Sequence, residues 1–212
     1  MHLTQPLRSL IPTLDGAALT VLARTESALS ASQIARLTQH GSRTGLRLAL
    51  DRLVGTGLVD ADPSSSGRLY RLNRQHVLAP AVLAGASARN DLLSRLTDGL
   101  SALVPAPEHA SVFGSLARDV ADENSDIDLL LVMPAGLDLH DESWRAQVRA
   151  LEDAVLRWTG NRLEPLVLTT SQLTAAARRG ERIIDELSSD ASTLVGESFE
   201  SLLVRLAAVA GR

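Results

Sequence analysis

The chain has 212 residues, 45% hydrophobic and 2% aromatic, with a formal charge of −4 at pH 7. That length exceeds one typical domain, and the composition is not that of a disordered chain. The absence of Cys excludes disulfides, thiolate-bound zinc and thiol catalysis, and because all 21 basic residues are Arg, a Walker A loop and Schiff-base chemistry are excluded as well. No apolar run reaches the roughly 18 residues of a membrane span, and residues 1–16 lack a long apolar core after a basic start, so a cytoplasmic location is expected.

Charge is unevenly placed. Residues 1–90 hold 10 Arg against 5 acids, net +5, while residues 91–212 hold 11 Arg against 20 acids, net −9. A basic front half joined to an acidic back half predicts two jobs.

In chain order, Leu14, Ala18, Val21 and Leu22 have the spacing of a helix over residues 14–23. Ser30 with Gln33 forms a capping-box signature ahead of Ile34, Ala35 and Leu37, and Gly41 breaks that second helix. Ser42 caps a third, which runs through Leu46, Leu50, Leu53 and Val54 to the stop at Gly55-Thr56-Gly57. Residues 58–62 and 68–73 alternate around Pro63-Ser64-Ser65-Ser66-Gly67, the pattern of a β-hairpin with a flexible tip.

Helices followed by such a hairpin resemble the winged helix-turn-helix of bacterial transcription regulators. The resemblance implies duplex DNA as partner, with Arg43, Thr44, Arg47 and Asp51 on the helix that enters the major groove, and Arg68, Arg71 and Arg74 along the wing. Arg can grip phosphate or read guanine. The alternative is a protein-interaction or dimerisation domain with a solvated helix face, since Asp51, Asp60 and Asp62 dilute the basic patch.

Residues 78–103 are apolar and Ala-rich, with Pro80 near the start, and read as a connecting helix and a candidate homodimer element. Pro105-Ala106-Pro107 disfavours helix on both sides and marks a boundary. The expected division is therefore a domain over 1–77, a linker helix over 78–104 and a second domain over 105–212.

The most informative chemistry lies at 113–132. Asp126 and Asp128 stand two apart at the mouth of the run Ile127, Leu129, Leu130, Leu131 and Val132, which reads as a buried strand that points both carboxylates to one face. At a rise of roughly 3.3 Å per residue and an effective dielectric near 20, their repulsion is roughly 2.5 kcal/mol, a cost that a divalent cation turns into attraction. An Asp-rich turn would explain Ser125 and Asp126, but not a second acid inside the strand. Ahead of the acids, Gly114 permits a sharp turn and Ser115 opens a short helix whose free N–H groups suit an anion.

Gly114-Ser115, ten intervening residues, then Asp126-Ile127-Asp128 resembles the signature of DNA polymerase β-like nucleotidyltransferases, particularly the minimal and aminoglycoside-type members. Their usual Gly-Ser-x-Ala-Arg-Gly is matched here by Ala117 and Arg118, whereas Asp119 replaces the last Gly. The resemblance implies a Mg²⁺-dependent transferase that moves a nucleoside monophosphate from a nucleoside triphosphate to an acceptor hydroxyl. Two Mg²⁺ ions are expected on Asp126 and Asp128, with phosphate held at Gly114 and Ser115. Arg118 either offsets charge on the pyrophosphate or is a surface Arg paired with Asp119 or Asp122.

Residues 141–158 follow as a helix striped with Trp144, Val148, Leu151, Val155 and Trp158, stopped by Gly160, with both Trp predicted in the core. Residues 162–169 alternate and carry Glu164; the resemblance implies a third acid on a neighbouring strand, as metal ligand and proton acceptor, and Glu164 is the candidate for it. Pro165 suits an edge or a bulge, and a bulge would turn Glu164 away. Residues 171–212 read as short helices around 192–195 and name no substrate.

The whole reads as α+β: winged helix-turn-helix, linker helix, nucleotidyltransferase domain. That order, with Tyr70 to His76 where the wing returns, resembles bacterial proteins that fuse a regulator-like DNA-binding domain to a minimal nucleotidyltransferase. The acceptor, whether protein, RNA or small molecule, is not legible. The alternative is a DNA-binding transcriptional regulator whose second domain only binds nucleotide or a partner.

Overall fold

The structure, a computed structural model, describes residues 1–38, 41–65, 67–138 and 140–210. Ser66 of the expected hairpin tip, and residues 211 and 212 of the expected second domain, lie outside the described residues. Two compact units are present, the first built from His2 and Thr4–Asn90, the second from Asp91–Arg212 with Met1 and Leu3. None of the described helices is long and apolar enough to cross a membrane.

In the first unit, α1 (Leu7–Leu10) and α2 (Leu14–Ala23) are followed by β1 (Leu29–Ser30), α3 (Ala31–Thr38), α4 (Arg43–Gly55), β2 (Val59–Ser64) and β3 (Gly67–Leu72). The local signals explain the starts. Gln33 Oε1 accepts from the Ser30 N–H at 2.8 Å while the Gln33 N–H donates back to Ser30 Oγ, closing the capping box of α3. Ser42 Oγ accepts from the Gly45 N–H and caps α4. Inside, Leu19, Leu22, Ile34, Leu46 and Leu50 form one core with Tyr70 and Leu72, whereas Leu37 is 52% exposed. The strands are antiparallel in the order β1-β3-β2, with Leu29 opposite Tyr70. β1 has only two residues, too few to show a period in the sequence.

Helix α5 (Ala79–Ser101) begins in the first unit and ends in the second. The second unit continues with β4 (His109–Phe113), α6 (Gly114–Ala117), β5 (Ile127–Val132), α7 (Glu142–Thr159), β6 (Leu163–Leu168), α8 (Thr170–Arg179), α9 (Arg182–Asp190), β7 (Ser192–Val195) and α10 (Phe199–Ala210). Its sheet has the order β6-β5-β4-β7; β5 and β6 run parallel, and the pairs of β4 with β5 and with β7 are antiparallel.

Strand β5 is central, and its unbroken apolar run follows from burial on both faces. Ile127, Leu129 and Leu131 pack with Leu96 and Leu100 of α5 and with Trp144, Val148 and Val155 of α7. Leu130 and Val132 face the other way, onto Leu173 of α8, Ile184 and Leu187 of α9, and Leu202 of α10. Each fully buried Leu contributes about 2 kcal/mol of apolar transfer, so β5 is a rigid platform. Asp128 lies on the second face, at the end where the apolar cover gives way.

Helix α7 begins on Asp141, whose carboxylate accepts from the Trp144 N–H, and ends at Gly160 with φ 77°. Trp144 is core, its indole N–H donating to the Pro105 carbonyl at 2.9 Å. Trp158 is not: it is 38% exposed, with the Arg95 guanidinium 5.6 Å from its ring centroid.

Candidate active site

The site is built where β4 turns into α6 beside the start of β5. Phe113 pairs with Asp128 across the antiparallel ladder, so the next residue, Gly114, passes directly over the Asp128 side chain. Gly114 has φ +68°, and a Cβ there would lie 2.2 Å from Asp128 Oδ2. Only glycine satisfies both the left-handed turn and the carboxylate's space. Ser115 is half-buried within the four-residue α6, and Asp119 has φ 60°. The position where Gly is usual thus keeps a left-handed backbone, which Asp tolerates better than most residues.

Asp126 is exposed and sits just ahead of β5 rather than inside it. Its approach loop is tightly bonded: Asp122 Oδ1 accepts from the Asn124 N–H and the Ser125 hydroxyl. Asn161 is 3% exposed, and its amide N–H groups donate to the carbonyls of Asp122, Glu123 and Ser125, 2.9 Å in the last case. Sequence reasoning missed Asn161, because a single Asn after a helix-stopping Gly reads as a turn.

Glu164 is paired in register with Asp128 across the parallel strands β5 and β6. Partners in a parallel pair project to the same side, so the phase left open by Pro165 is the one that brings Glu164 to Asp128. Strand β6 is an edge strand with continuous register, which accommodates the proline without a bulge. Burial first, and then the charge of Asp126, holds the Asp128 carboxyl above its ordinary range; Arg118 opposes the shift, and Glu164 and Glu186 add to it. Glu164 also raises Glu152 of α7, behind the larger effect of burial there.

Opposite Asp128 stands α9. A cleft of about 630 Å³ is lined by Phe113, Gly114, Arg118 and Asp128 on one side and by Arg182, Asp185, Glu186, Ser189 and Asp190 on the other. Ser115, Asp126 and Glu164 are not among its walls. Arg118 Nη1 donates to Asp190 Oδ2 at 2.5 Å, and Arg182 Nε to Glu186 Oε1 at 2.8 Å. These α9 residues were missed in the sequence, although residues 182, 185, 186, 189 and 190 form one polar stripe opposite buried Ile184 and Leu187.

In the first unit, Arg43, Arg47 and Arg68 line a cleft of about 770 Å³ with Ser30, Ser32, Asp51 and Tyr70. Thr44 is exposed in the first turn of α4. Arg68 pairs with Asp51 at 3.6 Å, whereas Arg71 stands between Asp60 at 3.3 Å and Asp62 at 3.7 Å.

Residues 93–189 match the family model of the nucleotidyltransferase domain. The second unit therefore carries a nucleotidyltransferase domain, an enzyme domain within a mixed α and β architecture, and Gly114, Asp126, Asp128 and Glu164 fall inside the matched segment. None of the curated proteins matches the chain. Two solved structures show a likeness, each at 16% identity over 56% of this chain and 86% of the other: a toxin-antitoxin with AMP-PNP, at a TM-score of 0.39, and the toxin-antitoxin MntA-HpeT mutant D39ED41E, at 0.40.

Such domains generally use a nucleoside triphosphate and a divalent metal, and the donor set fits a hard cation. Asp126, Asp128 and Glu164 offer carboxylate oxygens without competing sulfur or imidazole, the chemistry that suits Mg²⁺. Burial first, and then the charge of Asp126, disfavours the ionised Asp128 carboxyl, a cost that a bound cation would offset. Asp128 and Glu164 share a side of the sheet and Asp126 stands just ahead of it, and among the described residues no ready-made cluster of three or more metal ligands occurs.

Proposed function

We propose that the second unit joins a nucleoside monophosphate to an acceptor hydroxyl. The hydroxyl oxygen bonds to the α-phosphorus of a nucleoside triphosphate, the bond from that phosphorus to the bridging oxygen breaks, and pyrophosphate leaves. The observation that carries this reading is the in-register pair of Asp128 and Glu164, with Gly114 leaving room for the Asp128 carboxylate. Asp126 and Asp128 are the residues that would hold two Mg²⁺ ions, with Glu164 as the third residue that would hold them, and Glu164 takes the acceptor's proton. Bound Mg²⁺ supplies charge neutralisation for the triphosphate and acidifies the hydroxyl. The Gly114 backbone and the Ser115 hydroxyl hold phosphate oxygens, and Arg118 faces the charge that develops on pyrophosphate.

The first unit, in this reading, is a winged helix-turn-helix that places the chain on duplex DNA. Its support is the succession of α2, α3 and α4 into the hairpin of β2 and β3, the net charge of +5 over residues 1–90, and the convergence of Arg43, Arg47 and Arg68 on one cleft. Incubation with Mg²⁺ and each of the four labelled triphosphates tests the transferase. Pyrophosphate release is expected; nucleotide binding without release would make the protein a DNA-binding regulator that senses nucleotide.

A further inference from the structure

We infer that Asp190 is a positioning residue that fixes the Arg118 guanidinium at the cleft before a nucleotide arrives, and so sets turnover rather than nucleotide affinity. The inference rests on the transferase reading. It starts from an asymmetry between the two partners: the Arg118 side chain is 54% exposed, whereas that of Asp190 is 8% exposed. A long, half-exposed Arg has many rotamers, and burial does not choose among them. Asp190 does. One of its oxygens accepts from the Ser189 hydroxyl and the other from Arg118 Nη1, so the carboxylate is itself held by its neighbour and by the end of α9.

The location is what makes the pair functional. Both residues line the same cleft as Gly114 and Asp128. A guanidinium has five N–H donors in a rigid fork, and a single Nη1 bond to Asp190 leaves others for phosphate oxygens. For binding alone, Asp190 is a poor choice, because its negative charge repels a triphosphate. For helix stability it is also a poor choice, because Asp190 ends α9, where the helix dipole disfavours an anion. A carboxylate that weakens both serves to orient Arg118.

The test is a double-mutant cycle in the full-length protein with Mg²⁺ and each of the four nucleoside triphosphates, comparing Arg118→Gln, Asp190→Asn and the double variant. Misplacing one charged group at a reacting centre costs roughly 10–100-fold in rate. Asp190→Asn should therefore lower kcat by roughly that factor while the KM for nucleotide stays level or falls, and Asp190→Glu should recover part of the rate. The double variant should be no slower than Arg118→Gln alone, because Asp190 acts only through Arg118. Effects of the two single changes that multiply in the double variant, or an Asp190→Asn protein with wild-type kcat, would overturn the inference. If the wild type releases no pyrophosphate, the transferase reading fails by itself, and the same cycle is read on the equilibrium affinity for ATP with Mg²⁺. Coupled changes there keep Asp190 as the residue that orients Arg118 but overturn its assignment to turnover rather than affinity, and independent ones remove it. A wild type that binds no ATP at all overturns both.

Discussion

At the scale of the residue, the fold holds Asp128 where its ionised form is disfavoured by burial, by Asp126, and to a lesser extent by Glu164 and Glu186. Its carboxyl in the folded chain therefore titrates above the ordinary value of 3.8. The folded state binds that proton more tightly than the unfolded state, so stability falls as pH rises from 3.8 through the raised value and stays lower above it. Asp128→Asn should abolish transfer yet melt at or above the wild-type temperature at neutral pH without Mg²⁺. The gap should close in thermal melts taken below the ordinary carboxylate range. A variant that melts lower at neutral pH would place a stabilising partner on the carboxylate. Glu164→Gln tests the partner residue: the proposed proton acceptor would act in the transition state, so kcat should drop while nucleotide affinity is nearly unchanged. Unchanged steady-state kinetics would leave Asp126 and Asp128 as the whole carboxylate set.

At the scale of the element, the turn from β4 into α6 is tied to β5 through one atom pair. Gly114→Ala brings a Cβ to 2.2 Å from Asp128 Oδ2 at φ +68°, and the left-handed backbone alone costs about 1–2 kcal/mol. The cores of the second unit lie elsewhere, so far-UV circular dichroism should be preserved while transfer is lost. A fully active Gly114→Ala protein would detach Asp128 from the chemistry. The hairpin of β2 and β3 allows an equally sharp expectation. Arg71 is engaged by Asp60 and Asp62 across the strand pair, so Arg71→Ala should change DNA affinity little. Converting both acids to Asn should release Arg71, strengthen binding to all duplexes alike, and steepen the salt dependence by about one phosphate contact. If the double Asn variant binds no better, Arg71 lies off the DNA face.

At the scale of the whole molecule, the basic and acidic halves predict opposite responses to a polyanion. Log affinity for duplex DNA should fall linearly with log salt, at a slope of about −0.9 per phosphate contact, measurable by fluorescence anisotropy on the intact chain. No binding at low salt would assign the first unit to protein interaction. How much of this was legible in the sequence differs from one feature to the next. Helix α2, the caps at Ser30, Ser42 and Gly160, the turn at Gly114 and the buried strand that follows Asp126 were readable because each is a local pattern: a period of 3.6, an unbroken apolar run, a side chain bonding its own backbone, a turn that only glycine makes. Strand β7 was not, since four residues at a sheet edge carry little period and β4 supplies their pairing. Trp158 extends a helical stripe and is nonetheless exposed, because periodicity cannot say where the core ends. The side on which Glu164 stands was decided by the parallel register of β5 and β6, and the partnership of Arg118 with Asp190, 72 positions on, by the packing of α9 against the sheet. The sequence by itself determined where helices, caps and turns form and which polar groups are candidates for chemistry, because bonding to near neighbours is written locally. Only the tertiary structure decided which of those groups meet, because register and helix packing are set by the burial of side chains far apart in the chain.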